Sequence, residues 1–97
     1  MVYAERIRDK LTEAFEPMAL DVADESARHA GHAGAQPGGE THFTVTLVSE
    51  RFSGQSRLQR QRAVYKVLAE ELQERVHALA LNLWTPEEID RRGPPAV

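Results

Sequence analysis

The sequence predicts an α+β domain with the element order helix, strand, strand, helix, strand, short helix. Its three strands should form one sheet, with the helices packed on one face. Three observations lead there. Apolar residues recur at helical spacing in two separate segments, and they alternate with a period of two in three others. Each main helix carries a single apolar stripe, which must be buried against a neighbouring layer. A chain of 97 residues accommodates one core and hardly two, and buries roughly two-thirds of the surface its unfolded form exposes.

The first helix should span residues 2 to 16, with Ile7, Leu11, Ala14 and Phe15 on its apolar side and Glu5, Arg8, Asp9 and Glu13 between them. Pro17 ends it, because the residue before a proline is pushed out of the helical region. Met18, Leu20 and Val22 then alternate with Ala19, Asp21 and Ala23, the period of a half-buried strand running to about Glu25. Residues 27 to 39, ARHAGHAGAQPGG, break every period with four glycines and a proline and read as a long loop between two strands. Thr41 to Ser49 is the clearest strand. Phe43, Val45 and Leu47 share one face and His42, Thr44, Thr46 and Val48 the other. The two early strands should pair antiparallel as a long-looped hairpin.

Arg51-Phe52-Ser53-Gly54 is a turn, and Ser56 with Gln59 makes a capping-box pattern for a long helix to about Arg75. Its predicted core stripe is Leu58, Val64, Tyr65, Leu68 and Leu72. Ala78 to Trp84 is the third strand. Thr85-Pro86-Glu87-Glu88 supplies an N-cap, a proline at the first helical position and a capping glutamate for a short final helix. The predicted domain occupies residues 1 to 90, and RRGPPAV at 91 to 97 reads as a flexible C-terminal tail.

Composition narrows the function. The chain has no cysteine, so disulfides, thiolate metal sites of its own and a cysteine nucleophile are all excluded. The net charge of -3 gives no global attraction to nucleic acid, which would need a local basic patch. One exists: from Arg51 to Lys66 there are five cations, Arg51, Arg57, Arg60, Arg62 and Lys66, and no acid. It can bind a phosphate backbone or an acidic partner face, or simply form a solvated helix flank. Met1 to Lys10 is charged throughout and lacks the apolar core of a signal peptide. No apolar run nears the roughly 18 residues a membrane span needs. The expected location is the cytoplasm. No serine has an identifiable histidine–acid partnership, and the glycine loop lacks the lysine of a phosphate-binding loop, so no enzyme activity is expected. Asp21, Asp24 and Glu25 are a poor match to any calcium loop.

The strongest borderline-soft ligands the chain owns are imidazoles. His29 and His32 stand in the glycine-rich loop, His42 reads as an ordinary exposed strand residue on the face away from Phe43, and His77 precedes the third strand. By parity with Leu79 and Leu81, His77 can also be a buried, hydrogen-bonded core histidine.

The stretch GlyGluThrHisPhe at 39 to 43, LeuValSer at 47 to 49, Arg51-Phe52 with Gly54, Leu58 with Arg60 and Arg62, and ValTyr at 64 to 65 resemble the core motif of the BolA family. LeuAlaGluGluLeu at 68 to 72, ValHisAlaLeuAla at 76 to 80 and HisAlaGlyHisAlaGly at 29 to 34 extend the resemblance over roughly residues 3 to 90. It implies a fold like the second topological class of KH domains, without the glycine clamp of RNA-binding members. No GxxG stands at the helix junctions here. It also implies a monothiol glutaredoxin as partner, with which such proteins share a two-iron, two-sulfide cluster together with glutathione, and for some bacterial members a role as DNA-binding transcriptional regulators. By the same resemblance His77 occupies the place of one metal ligand, and His29 or His32 that of the second. Reach along the loop favours His32. Two imidazoles on one iron, with thiolates on the other, resemble a Rieske centre, raise its potential relative to an all-cysteine cluster and make binding sensitive to pH near about 6.5. The alternative reading is DNA binding through Arg57, Arg60, Arg62 and Lys66. Many members read ArgHisArg where this chain has Arg60-Gln61-Arg62, so it lacks an imidazole there. Alone, the protein is expected to be a monomer or weak homodimer.

Overall fold

The computed structural model describes residues 2–25 and 41–92. The elements follow the predicted order: α1 (Val2–Phe15), β1 (Ala19–Asp24), β2 (His42–Val48), a 3-10 turn (Glu50–Phe52), α2 (Arg57–Val67), α3 (Ala69–Glu74), β3 (Ala78–Trp84) and α4 (Pro86–Arg92). The three strands form one mixed sheet in the order β1-β2-β3. β1 and β2 are antiparallel, with Val22 opposite Val45, while β2 and β3 are parallel, with Val45 opposite Leu81. The fold is therefore α+β, as the alternation pattern predicts.

Period two decides what each strand face does. Phe43, Val45 and Leu47 are buried and join Val22 and Leu83 in the core, against Ile7, Leu11 and Phe15 of α1 and Val64 of α2. α1 ends as Pro17 requires. Glu16 takes a φ of 45° at the helix C-terminus, a left-handed position that a side chain occupies at some cost. Its N–H still bonds the Thr12 carbonyl at 3.0 Å. The fully buried Ser49 hydroxyl donates to the Phe15 carbonyl at 2.5 Å, satisfying an acceptor that the helix end leaves open.

The predicted long helix is two helices. Leu68 leaves helical geometry at φ -102°, ψ 18°, and α3 starts directly after it. The Ser56–Gln59 capping box forms as predicted. The predicted core stripe needs correction. Val64 and Leu68 are buried and Leu72 packs against the core, but Leu58 is 53% and Tyr65 41% exposed. The inward side of α2 is taken by Arg60, which is 8% exposed, together with Val64. At 3.6 residues per turn, an inward Arg60 and Val64 turn Leu58 and Tyr65 to the opposite side. Phe52, read from sequence as part of a turn, is a fully buried core residue whose ring lies 5.0 Å from that of Phe15.

Two ion-pair clusters fasten the helices. The first joins α1 to α3: Arg6 and Lys10 both contact the fully buried Glu71 carboxylate, at 2.8 and 2.9 Å. Burial pushes this carboxyl up, and the hydrogen bonds from Lys10 and Arg6 more than reverse it, leaving Glu71 below its ordinary value. The second is Arg60. Its Nε donates to the Gln55 carbonyl and its Nη1 to the Leu83 carbonyl, both at 3.1 Å. The guanidinium also meets both oxygens of Glu88, at 2.7 and 3.0 Å. Glu88 caps α4 as well: its carboxylate accepts the Thr85 N–H at 2.9 Å, and its own N–H donates to the Thr85 hydroxyl at 3.2 Å. These partners, Arg60 foremost, hold the Glu88 carboxyl at about 2, far below its ordinary 4.5.

A depressed carboxylate stabilises the fold above its unfolded-state value and loses that contribution as it is protonated. Glu88→Ala should therefore cost about 2 kcal/mol near neutral pH, lowering the melting temperature by roughly 10 °C. The gap between variant and wild type should stay constant down to about 4.5 and close as pH falls toward about 2, as thermal melts across that range will show.

Candidate functional site

His77 stands between α3 and β3. Val76 before it is 2% exposed and inserted in the core, and its N–H bonds the Glu71 carbonyl at 2.9 Å. The carbonyl of Thr41, itself 1% exposed, accepts the His77 N–H at 2.7 Å and the Ala78 N–H at 3.2 Å. The backbone of His77 is thus pinned on both sides while the residue itself is exposed. The alternative of a buried core histidine is excluded, because the core-facing run of β3 begins only after it.

Parallel pairing puts Thr41 and His77 side by side, one residue before the His42–Ala78 register pair. The other end of the hairpin closes there too: the Glu25 N–H donates to the His42 carbonyl at 2.7 Å. Glu25 and Thr41, which bound the segment carrying His29 and His32, therefore both lie at the His77 end of the sheet. His29 and His32 themselves fall outside the described residues. His42 is half-buried, and its Nδ1 lies 2.9 Å from the Thr41 hydroxyl. Thr41 is the residue that sequence reasoning missed. The sequence places it as the first residue of the second strand, and its role as an anchor follows only from the parallel pairing with the third. Among the described residues no group of three or more histidine, aspartate or glutamate side chains could hold a metal ion. Of the two described histidines, His77 is exposed and His42 half-buried.

The basic stretch comes apart into different roles. Arg51 pairs with Glu16. Arg60 is buried and neutralised by Glu88, so it does not stand on the surface that the DNA-binding alternative drew from Arg57, Arg60, Arg62 and Lys66. Arg57 is exposed and lies over the Trp84 ring at 5.9 Å. Arg62 and Lys66 are exposed on α2.

Residues 11–88 match the profile of the family described as BolA-like protein. The chain belongs to the BolA family. It is 51% identical over 88 residues to the DNA-binding transcriptional regulator BolA of Escherichia coli, covering 91% of this chain and 80% of that protein. It is 51% identical over 82 residues to human BolA-like protein 1, covering 84% of this chain and 57% of the human protein. The fold superposes on the BolA domain of SufE1 from Arabidopsis thaliana with a TM-score of 0.82 at 41% identity, over 91% of this chain and 96% of that domain. Two plant relatives carry chloroplastic or mitochondrial in their names. Among the described residues no helix is long and apolar enough to cross a membrane.

Arg60 and Arg62, two residues apart and so on opposite sides of α2, should separate in denaturation experiments. Arg60→Ala leaves Glu88 and two carbonyls without their shared donor and should cost about 3 kcal/mol, whereas Arg62→Ala should stay within about 0.5 kcal/mol of wild type. His77→Ala, at an exposed position whose backbone bonds survive, should also stay within about 0.5 kcal/mol. Urea midpoints at constant slope measure all three.

Proposed function

We propose that this BolA-family chain is an adaptor, not an enzyme, that shares a two-iron, two-sulfide cluster with a monothiol glutaredoxin and its glutathione in the cytoplasm. The cluster is its cargo. His77 supplies one iron ligand and His32 or His29 the other, while the thiolates come from the partner. The observation that carries this reading is the exposed His77, fixed by its backbone to the carbonyl of Thr41. A useful ligand must be accessible and already placed, and His77 is both. The segment from Glu25 to Thr41 begins and ends beside it. An extended chain advances up to about 3.6 Å per residue, so His29 is within roughly 14 Å of Glu25 along the chain.

The lack of cysteine fits a shared cluster, since this chain has no thiolate of its own to offer iron. Imidazole ligands without thiolates suit a protein that completes a site on a partner rather than one that stores metal by itself. The neutral ring is the ligating form, so acid competes with iron for it.

A second reading, DNA binding through α2, takes its support from the printed name of the Escherichia coli relative. With Arg60 internally neutralised, the surface keeps Arg57, Arg62 and Lys66. Three phosphate contacts give a salt slope of only about -2.7 in log affinity against log salt. That slope, measured on duplex DNA, and its loss on neutralising these three residues would support that reading.

Mixing the protein with cluster-loaded monothiol glutaredoxin should shift the visible absorption and circular dichroism toward those of a mixed histidine–thiolate cluster. His77→Ala should abolish the shift while leaving the fold intact. Of His29→Ala and His32→Ala, one should abolish it and the other leave it nearly unchanged. An unaltered shift in His77→Ala would remove the proposal.

A further inference from the structure

α2 carries apolar residues beyond its core-facing side, and the protein covers these only in part. Arg60 and Val64 face inward. Leu58, Arg62 and Tyr65 fall within a sector of about 60° on the opposite side of the helix. Leu58 is 53% exposed and Tyr65 41%. Lys66 flanks this stripe, and the sequence holds no acid from Arg51 to Lys66. A helix that is apolar on two sides is normally covered on both. Tyrosine and arginine around an aliphatic residue are also the composition that dominates binding energy at protein interfaces.

The stripe has a direction. α2 runs antiparallel to β3, for Arg60 reaches the Leu83 carbonyl while the Tyr65 hydroxyl approaches the Leu79 carbonyl at 3.5 Å. Leu79 is two residues from His77. The stripe therefore ends beside His77, and a protein seated on the cluster would meet Tyr65 first and Leu58 last.

We infer that the outer face of α2, centred on Leu58, Arg62 and Tyr65, is the docking surface for the protein that supplies the thiolate ligands, and that this protein presents carboxylates around an apolar spot. The inference rests on the cluster-sharing reading above and names the surface that holds the partner there. Continuity with His77 and the excess of positive charge select that occupant. Nucleic acid is the poorer fit, because the centre of the stripe is an exposed leucine and the arginine best placed to add charge, Arg60, is neutralised by Glu88.

The test uses the full chain and a monothiol glutaredoxin, with and without its cluster, and reads affinity by calorimetry and ligation by visible circular dichroism. Leu58→Ser combined with Arg62→Glu should keep the wild-type melting temperature and weaken binding at least tenfold. At saturating protein the histidine–thiolate spectrum should still appear, because His77 is untouched. Arg62→Lys should recover most of the affinity relative to Arg62→Glu. Binding of the double variant within twofold of wild type overturns the inference, as does a loss confined to duplex DNA. If the double variant weakens docking but wild type never gives a histidine-dependent spectrum, the docking face stands and the cluster reading falls. If wild type does not bind glutaredoxin in either form, both fall.

Discussion

A guanidinium enclosed at the junction of α2, β3 and α4 constrains much of the rest. A buried cation costs several kcal/mol unless it is paired and its donors are used. Arg60 meets that condition because three segments converge on it: the loop before α2 through the Gln55 carbonyl, the end of β3 through the Leu83 carbonyl, and α4 through Glu88. Each supplies a different part of what the guanidinium needs, so the contact ties the three segments to one another. With Arg60 turned inward, the rotation of α2 about its axis is fixed. Val64 then meets the core and Leu58 and Tyr65 face outward. The same contact orients α4, since Glu88 is also its capping residue.

This is where sequence reading reaches its limit. The strands were legible because period two leaves little choice of face: Phe43, Val45 and Leu47 point where the alternation puts them. The helix stops were legible in Pro17 and in the Ser56 and Thr85 caps, which act locally. The rotation of α2 was not legible. Leu58 and Tyr65 looked like core because hydrophobicity is the only signal in a single helix, and an arginine is not expected inside. Its partner Glu88 was visible as a cap, but nothing local says that a cap also neutralises a cation on another helix. Phe52 was hidden for a similar reason, since a turn residue becomes core only when α1 is laid against it. At the candidate site, the exposed histidine before β3 could be named from sequence. Thr41 could not, because its role exists only through a long-range parallel pairing.

The distribution of charge teaches a related point. Counting Arg51, Arg57, Arg60, Arg62 and Lys66 suggests a strong basic patch, but two of the five are occupied by Glu16 and Glu88. Arg6 and Lys10 are likewise engaged with Glu71. Much of the charge in this small domain fastens helices to one another. What remains outward on α2 is a narrow band mixed with apolar side chains, a surface better suited to recognising shape and charge together than to following a phosphate backbone.

The parallel alignment of β2 with β3 has one more consequence. An antiparallel partner would have carried the start of β3 to the far end of the sheet, roughly 20 Å away over a seven-residue strand. Bringing the two strand starts together instead requires the whole α2–α3 crossover between them. As the chain is synthesised, the hairpin of β1 and β2 can form early. The anchor at Thr41 stays without its histidine until β3 has emerged and docked. The Thr41–His77 end of the sheet is thus among the last parts of the domain to be completed as the chain emerges, although Thr41 itself is made early.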